Sequence, residues 1–429
     1  MNPQITLSNI NFTTSFDFSK NEIKKTLELH SHFGFSKLGN LQNEIPLAQK
    51  TALKFQHLTN FVHVGMGGSA LGPEVLLQSL AHTSMRNNGF QKTFTFLKNL
   101  DPLELKNFFH FTKLENTLFF IVSKSGETLE THTLLTILIE KLQNHYRQMT
   151  PELSLKNILQ KHFVFCTDPE KGTLRQLSKK YDIDCFTIPP NLGGRFSVLS
   201  PVSFLPLCFF QLDPIELMKG AENMQASLLG NKNIFFEELA KSIVEFALYH
   251  QLTQTLMMPY STYLKTFTDW FVQLWAESLG KKQLDTHIPQ GLTPIASYGP
   301  ADQHSQLQLF LAGPKKNFTF FLSVQNDQID FVLPTNSELQ EFKSLTELNN
   351  LNLEYIVETQ LIGVMEGFRA AQLPYVHLQL KQLNLETFGE LFYFFESLTA
   401  SVGHLLNVNP FDQPEVEIIK KQTQKMLMR

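Results

Sequence analysis

Short apolar runs rich in β-branched and aromatic residues alternate with helix-length amphipathic stretches from about position 60 onward. The first half contains five such runs, at Phe61–Val64, Thr93–Leu97, Thr117–Val122, His162–Cys166 and Ile183–Ile188. Strands that alternate with helices form a parallel, doubly wound sheet, because a helix makes each crossover. We therefore predict an α/β domain in which ligands bind beyond the carboxyl ends of the strands.

The second half shows the same alternation, although its strand order cannot be read from the pattern. Helical periodicity occurs at Ile234–Tyr249, Lys265–Lys282 and Asp302–Leu311. Strand-like runs follow at Phe318–Val324, Ile329–Leu333 and Val376–Leu380. Two more amphipathic helices are predicted near the ends of the chain, at Asn21–His32 and Pro414–Arg429.

The length of the chain, 429 residues, predicts more than one domain, since a typical domain has roughly 150 residues. Asp213-Pro214 and Gly230-Asn231 punctuate the stretch between Gln211 and Asn233, and we expect the linker there. The predicted division is a helical segment at 1–45, α/β domains at 46–212 and 213–410, and a C-terminal helix at 411–429.

Charge and hydropathy exclude two classes of partner. The net charge is −4 and the basic residues are scattered, which argues against a nucleic-acid surface. The start of the chain has no basic region followed by an apolar one, and the longest apolar run, Phe204–Phe210, is far too short to span a membrane. We expect a cytoplasmic protein with neither a nucleic-acid nor a membrane partner.

The residues that commonly bind metals lack the spacing for it. The three cysteines, Cys166, Cys185 and Cys208, have apolar neighbours and form no Cys-x-x-Cys or Cys/His pattern. The 14 histidines include no His-Glu-x-x-His motif. We predict buried free thiols, no metal and no cofactor.

A glycine-rich turn follows the first predicted strand and precedes a helix. Gly65, Gly67 and Ala70 formally satisfy the spacing of a dinucleotide-binding turn. A nicotinamide enzyme places an acidic residue at the end of its second strand, whereas here that strand ends at Lys98. We therefore interpret the turn as one whose backbone amides approach a sugar phosphate. A dinucleotide dehydrogenase remains the alternative, which a binding assay with nicotinamide cofactors would test.

Small hydroxyl residues between Ser123 and Thr128 precede a predicted helix that continues through Leu142. Free N–H groups and the dipole at a helix start attract a phosphate dianion. The alternative is plain N-capping by Ser125 and Thr128. Glu127 would repel a dianion unless its side chain turns outward.

Two charged residues lie in settings that suggest catalysis. Arg195 follows Pro189-Pro190 and Gly193-Gly194, and such a guanidinium suits a developing oxyanion; an interdomain salt bridge is the alternative. Glu277 interrupts an apolar helical run, and a buried carboxylate must be paired or functional. Gln273 and Lys281 share its helix face, so an ordinary Glu277–Lys281 surface pair is the alternative.

Taken together, these segments resemble the glucose-6-phosphate isomerase family, also called phosphoglucose isomerase, in its shorter bacterial form. The similarity extends from about Phe61 to Lys420 and rests on six segments, at Gly65–Pro73, Ser123–Thr128, Asn191–Ser197, Trp275–Lys281, Asp302–Gln306 and Phe411–Pro414. It implies two α-β-α sandwich domains of the sugar-isomerase (SIS) type with the active site between them. The implied reaction is the reversible isomerisation of glucose 6-phosphate and fructose 6-phosphate, which serves glycolysis and gluconeogenesis.

The resemblance also implies roles for single residues. Glu277 would carry a proton between carbons 2 and 1, and Arg195 would stabilise the cis-enediolate. Lys420 and His304 would open the sugar ring. The substrate would be bound by Gly68, Ser69, Ser123, Lys124, Ser125, Thr128, Gln273 and Gln413.

Three environments are expected for these residues. Leu274, Trp275 and Leu279 would form an apolar pocket around Glu277. Lys420, chosen over Lys421 by counting from Phe411-Asp412-Gln413, would be a buried amine. His304, which taken alone would be a cap or packing residue, would be contributed across the interface of a homodimer. A non-catalytic sugar-phosphate sensor is a second alternative, but it would lack the acid–base residues and carry a DNA-binding domain.

Overall fold

Two five-stranded sheets form the framework of the protein. The computed structural model describes residues 4–12, 34–81, 92–230, 234–325 and 331–427. The predicted helix at 21–32 lies outside these residues. The strands are β1 Ile5–Ile10, β2 Asn60–Val64, β3 Thr93–Leu97, β4 Thr117–Ser123, β5 Phe163–Thr167, β6 Cys185–Thr187, β7 Gln254–Pro259, β8 Lys281–Lys282, β9 Pro289–Gln290, β10 Thr293–Ala296, β11 Asn317–Val324 and β12 Tyr375–Leu380.

Helices connect the strands and cover the sheets. The α-helices comprise Leu38–Gln42, Ile45–Lys54, Leu71–Leu76, Pro102–Phe111, Leu129–Met149, Leu155–His162, Thr173–Tyr181, Pro201–Phe209, Pro214–Leu229, Ile234–Tyr249, Lys265–Leu279, Leu307–Ala312, Lys343–Thr346, Leu353–Ala370, Leu385–Leu405 and Pro414–Leu427. Short 3₁₀ turns at Gly67–Ser69, Gly194–Phe196 and Ala301–His304 lie where the sequence predicted functional residues.

The first sheet is parallel and confirms the prediction for the first half of the chain. Its order is β3-β2-β4-β5-β6. Alternate residues of β2 face opposite layers, since Phe61 packs into one apolar cluster and Val62 into another. Both faces of the sheet are therefore covered by helices, which explains why β4 reads as a continuous apolar run.

The second sheet has the order β1-β12-β11-β7-β10, with β1 antiparallel at the edge and the other strands parallel. It is also covered on both faces, because Phe320 and Phe321 of β11 pack into different clusters. The predicted strand at Ile329–Leu333 is wrong for its described part, where Val332 forms only an isolated bridge to Asn352. Phe331 is 61% exposed, so its apolar side chain does not mark a buried strand.

The stretch predicted to be a linker contains a core helix. Asp213 caps the Pro214–Leu229 helix by accepting from the backbone N–H of Ile215. This helix packs closely on Leu385–Leu405, because a Cβ at Gly220 would lie only 1.9 Å from the Glu386 carbonyl oxygen. One apolar cluster then joins the two sheets, with members that include Phe61, Phe120, Met218, Phe320 and Leu398.

The C-terminal helix agrees with the prediction in position but not in burial. Pro414–Leu427 is helical, and none of its residues is buried. Val416, Ile419 and Met426 are exposed apolar side chains along it. No helix in the described parts of the chain is long and apolar enough to cross a membrane.

Candidate active site

The glycine turn at Gly65–Gly68, after β2, packs against both the Arg195 loop and the Lys265–Leu279 helix. Gly67 has a φ of +52°, and a Cβ there would lie 2.5 Å from Nε2 of Gln273. A Cβ at Gly68 would lie 2.2 Å from the Gly194 carbonyl oxygen and 2.5 Å from the Arg195 nitrogen. Only residues without side chains permit this approach, so the glycines join the turn to the Arg195 loop and to the Lys265–Leu279 helix.

The Arg195 guanidinium is buried at this junction, with a side chain only 1% exposed. Its Nε donates to Ser278 Oγ at 2.7 Å, and Nη1 donates to Gln413 Oε1 at 2.8 Å. Its Nη2 donates to the backbone carbonyls of Asp412, at 3.0 Å, and Pro410. Burial lowers the pKa of Arg195 below its ordinary value, while Glu277 and Asp412 act in the opposite direction. An arginine nevertheless remains charged at any working pH.

The Glu277 carboxylate contacts this guanidinium directly. Its Oε2 lies 3.3 Å from Arg195 Nη1, and its Oε1 accepts from Gln273 Nε2 at 3.2 Å. The side chain is 34% exposed, so a ligand can reach it. The predicted alignment of Gln273 and Glu277 is therefore present. The Glu277–Lys281 alternative is not, because Lys281 pairs with Asp412 at 2.8 Å.

The expected apolar pocket around Glu277 is wrong. Leu274, Trp275 and Leu279 are completely buried in the main core. Trp275 donates to Thr255 Oγ1 at 3.1 Å, on the side of the helix that faces β7. The acid therefore has a guanidinium and a carboxamide as its hydrogen-bond partners.

The hydroxyl loop after β4 leaves the following helix uncapped. Thr128 is the N-cap residue of Leu129–Met149, but its side chain makes no capping hydrogen bond. Its hydroxyl lies 2.8 Å from Ser123 Oγ instead, while Ser125 Oγ accepts from the backbone N–H of Glu127 at 3.2 Å. Plain N-capping is thus not what these residues do, and the N–H groups of the first helical turn point toward the loop without side-chain partners from it.

Glu127 turns away from this loop. Its Oε1 accepts from the backbone N–H and, at 2.9 Å, from the hydroxyl of Thr173, at the start of the Thr173–Tyr181 helix. The carboxylate therefore caps a neighbouring helix. Gly126 and Gly172 both have positive φ, and a Cβ at Gly172 would lie 2.4 Å from the Ser125 carbonyl oxygen, so the loop keeps a tight shape.

Lys124 brings a second cation toward the site. Desolvation lowers its pKa, the positive charge of Arg195 lowers it further, and Asp168 raises it. Because the positive charges of Lys124 and Arg195 repel each other, binding of an anion near both of them is electrostatically favourable. The loop thus combines an uncapped helix start, hydroxyl groups and a lysine.

Two of the four predicted catalytic residues lie apart from this cluster. His304 is exposed at the end of the Ala301–His304 turn. Lys420 is paired with Glu417 at 2.6 Å and its side chain is 57% exposed, so the expected buried amine is wrong for the single chain. No hydrogen bond or ion pair among the described residues joins either of them to Glu277 or Arg195.

The site also contains residues to which sequence analysis assigned no role. Ser278 is completely buried and accepts from Arg195, and Asp412 bonds both Arg195 and Lys281. Ser278 adjoins Glu277 in the sequence, which was its only signal. Lys98, at the position where a dinucleotide site needs an acid, pairs with Glu74 at 2.6 Å. The residues that the structure describes include no group of three or more His, Cys, Asp or Glu side chains placed to hold a metal.

Solved structures with this architecture define the class of fold. One is a hypothetical protein from Thermus thermophilus, with a TM-score of 0.84 and 29% identity over 95% of this chain and 94% of that one. Another is a glucose-6-phosphate isomerase from Chlamydia trachomatis, with a TM-score of 0.71 and 21% identity over 99% of this chain and 81% of that one. This chain therefore has the fold that a solved glucose-6-phosphate isomerase has.

Sequence comparison identifies the family within this class. The family model for phosphoglucose isomerase matches residues 35–429. The glucose-6-phosphate isomerase of Carboxydothermus hydrogenoformans is 33% identical over 402 residues, which cover 90% of this chain and 83% of that one. This chain belongs to the phosphoglucose isomerase family.

Proposed function

We propose that this protein interconverts glucose 6-phosphate and fructose 6-phosphate in glycolysis and gluconeogenesis, in the cytoplasm. One observation carries the proposal: a partly exposed carboxylate, Glu277, lies 3.3 Å from a buried guanidinium, Arg195, where the glycine turn and the C-terminal segment meet. This geometry combines a proton acceptor with a fixed positive charge. Membership of the family supplies the substrate pair.

The phosphate group of the substrate binds to the hydroxyl loop after β4. Ser123, Ser125 and Thr128 supply hydroxyls, the start of the Leu129–Met149 helix supplies N–H groups, and Lys124 supplies charge. Hydrogen bonds to an ionised group are about twice as strong as neutral ones. A phosphate held here fixes the distance of carbon 2 from Glu277 and so reduces the entropic cost of the reaction.

Proton transfer then proceeds between adjacent carbons of the open-chain sugar. Glu277 removes the proton from carbon 2 of glucose 6-phosphate, and the electron pair of that C–H bond forms the enediolate double bond. Arg195 stabilises the negative charge on oxygen, because its guanidinium is already oriented by Ser278 and two backbone carbonyls. The same carboxyl returns the proton to carbon 1 while the hydroxyl proton on oxygen 2 passes to oxygen 1, so that the carbonyl forms at carbon 2 and the product is fructose 6-phosphate.

The two glutamines orient the sugar. The Oε1 atom of Gln273 is buried and has no hydrogen-bond partner among the described residues, so it can accept from a sugar hydroxyl. Gln413 bonds Arg195 and can exchange this bond for one to the substrate. Gly68, through its backbone amide, and Ser69 complete the sugar site, while the Ser69 N–H itself donates to the Met66 carbonyl at 3.1 Å.

Ring opening requires His304 and Lys420, and we assign their placement to a homodimer. Each site takes His304 from the second copy, while Lys420 reaches the site when the C-terminal helix is covered. The exposed apolar side chains of that helix and of the 331–355 stretch support such an interface, for example Ile418, Ile419, Phe331 and Phe342.

A coupled assay on fructose 6-phosphate, with mannose 6-phosphate for comparison, tests the function. We expect turnover of fructose 6-phosphate by enzyme treated with a chelator, since Arg195 supplies the positive charge. Absence of turnover, or activity only after one metal ion is added back, would contradict the proposal.

A further inference from the structure

His63 is a fully buried histidine next to the site that none of the proposed steps uses. It lies in β2, two residues before the glycine turn. Its ring stacks on Phe96 with a centroid distance of 5.1 Å and meets Phe120 edge-on at 5.3 Å. Its Nε2 lies 2.6 Å from the backbone carbonyl oxygen of Ser69.

The Ser69 carbonyl ends the 3₁₀ turn that precedes the Leu71–Leu76 helix, and it needs a donor from outside that helix. In a regular helix the N–H four residues later would bond it, but that residue is Pro73, which has no N–H. A carbonyl only accepts, so the His63 Nε2 must carry the hydrogen and donate. Gly65 leaves space for this arrangement, because a Cβ there would lie 3.0 Å from the same oxygen.

The histidine is suited to donate at any physiological pH. Its Nδ1 is buried without a hydrogen-bond partner in the described part of the chain, so a second proton would have no acceptor. Burial accordingly lowers the pKa of His63 to about 4. The ring therefore stays neutral with its hydrogen on Nε2.

We propose that His63 is a positioning residue for isomerisation: its Nε2–H holds the Ser69 carbonyl and thereby fixes the turn in which the Gly68 backbone amide faces the sugar. The turn transmits any displacement directly, since Gly68 packs against Gly194 and Arg195 and its carbonyl accepts from Ser197 Oγ at 3.3 Å. This inference rests on the proposed function, because it assigns the sugar to that turn.

Two substitutions separate positioning from packing. His63→Leu keeps an apolar side chain between the two phenylalanines but leaves the Ser69 carbonyl without its donor. His63→Gln retains an N–H that can reach the same oxygen. For the leucine variant we expect roughly 10-fold faster amide exchange across residues 65–72 and roughly 10-fold lower kcat, because a buried acceptor loses its hydrogen bond. The glutamine variant should stay within about 3-fold of the wild type in both.

Inorganic phosphate provides the second readout. Its inhibition constant should be unchanged in both variants, because the hydroxyl loop binds it. His162→Leu is the matched control, because His162 is also a buried histidine of the first domain. Its ring nitrogens lie 2.8 Å from the carbonyl oxygen of Thr117, at the start of β4, and 2.8 Å from the Tyr146 hydroxyl. This variant should lower the melting temperature without lowering kcat.

Equal exchange and equal kcat in His63→Leu and His63→Gln would overturn the inference, as would an equal loss of kcat in His162→Leu. A wild-type enzyme that does not turn over fructose 6-phosphate would instead overturn the proposed function. The exchange measurement would still decide whether His63 holds the turn, because it needs no substrate.

Discussion

The donors of Arg195 are almost entirely committed to the protein itself. Ser278 and two backbone carbonyls fix its plane, and its bonds to Glu277 and Gln413 join it to two groups proposed to act on the substrate. A charge held in this way needs no reorganisation when negative charge develops next to it. Two of these five acceptors are backbone carbonyls, of Pro410 and Asp412, and a sequence does not display such contacts.

Replacing Glu277 by glutamine tests the base. Glu277→Gln keeps the shape of the side chain but cannot accept the carbon-2 proton, so we expect kcat to fall roughly 10²–10⁴-fold with KM little changed. Exchange of deuterium at carbon 2 should fall in parallel. Glu366→Gln, which alters an exposed ion pair with Arg369, is the control and should have wild-type kinetics. Near-normal turnover of Glu277→Gln would contradict the mechanism.

The sequence located Glu277, Gln273 and Arg195, and the structure brings these three together. Their signal was chemical: ionisable or amide groups in an apolar helix, and an arginine after paired glycines. Ser278 and Asp412 were missed because their roles depend on contacts between distant segments. The apolar pocket was predicted wrongly because neighbours in a helical sequence point in different directions, and Trp275 faces β7.

At the scale of elements, the hydroxyl loop and the start of its helix act as one unit. Ser125→Ala combined with Thr128→Ala removes hydroxyls that can bond the phosphate, each charge-assisted bond being worth about 1.5–3 kcal/mol. We expect a large rise in KM for fructose 6-phosphate and a smaller fall in kcat. Weaker inhibition by inorganic phosphate should accompany it.

The neighbouring Glu127 provides the contrast for that experiment. Glu127→Ala removes the cap of the Thr173–Tyr181 helix, so it should cost about 1 kcal/mol of unfolding free energy and change KM little. If KM is unchanged in the double alanine variant, the phosphate binds elsewhere, and the Gly68–Ser69 turn becomes the candidate.

The side chain of Glu390 bonds the backbone at the start of the edge strand β1, and this carboxyl group ionises near neutral pH. Glu390 Oε2 accepts from the backbone N–H groups of Gln4, at 2.9 Å, and Ile5, at 3.2 Å. Desolvation raises the pKa of Glu390 to about 7 from 4.5. Between these values only the folded state holds the proton, so the unfolding free energy falls as pH rises from about 4.5 to about 7.

Glu390→Gln should remove this dependence, since its amide oxygen accepts the same bonds without titrating. The variant should match the wild type near pH 4 and be more stable above pH 7, by up to about 3 kcal/mol. Urea unfolding at pH 4, 6 and 8 measures the difference. Parallel pH profiles for the two proteins would show that Glu390 does not titrate on folding.

The strands that the sequence missed are those with the weakest local pattern. The strand β7 is rich in methionine and ends in proline, β10 is short and half exposed, and β1 lies outside the alternation of strands and helices. The run at 329–333 failed for the opposite reason, because Phe331 and Val332 are apolar but exposed. In each case the outcome depended on which side chains the tertiary structure buries, and a local sequence pattern indicates burial only indirectly.

At the scale of the whole molecule, the separation of His304 and Lys420 from Glu277 makes assembly testable. Glu277→Gln chains and His304→Ala chains should each be inactive. If each site draws His304 from the second copy, a heterodimer of the two has one site with both defects and one site with neither. Co-expression with two different affinity tags, followed by tandem purification, should therefore restore up to about half of the wild-type activity.

A purified heterodimer as inactive as its parents would show that His304 acts within its own chain. Mixing Glu277→Gln with Arg195→Lys is the matched control. Both residues belong to the same half-site in one chain, so this pairing leaves a defect in each site and should not restore activity.

The close packing of the Pro214–Leu229 and Leu385–Leu405 helices at Gly220 and Gly389 bears on how the two halves of the chain relate to each other. Each glycine lies against the backbone of the opposite helix, and the cluster around this pair reaches both sheets. A boundary at 212/213 would therefore cut through one apolar cluster, and it would also separate β1 from the sheet to which it belongs. Either half expressed alone would expose a large apolar surface to water. A chimera that combines one half of this chain with the other half of a relative would therefore fold only if the packing of this helix pair is conserved.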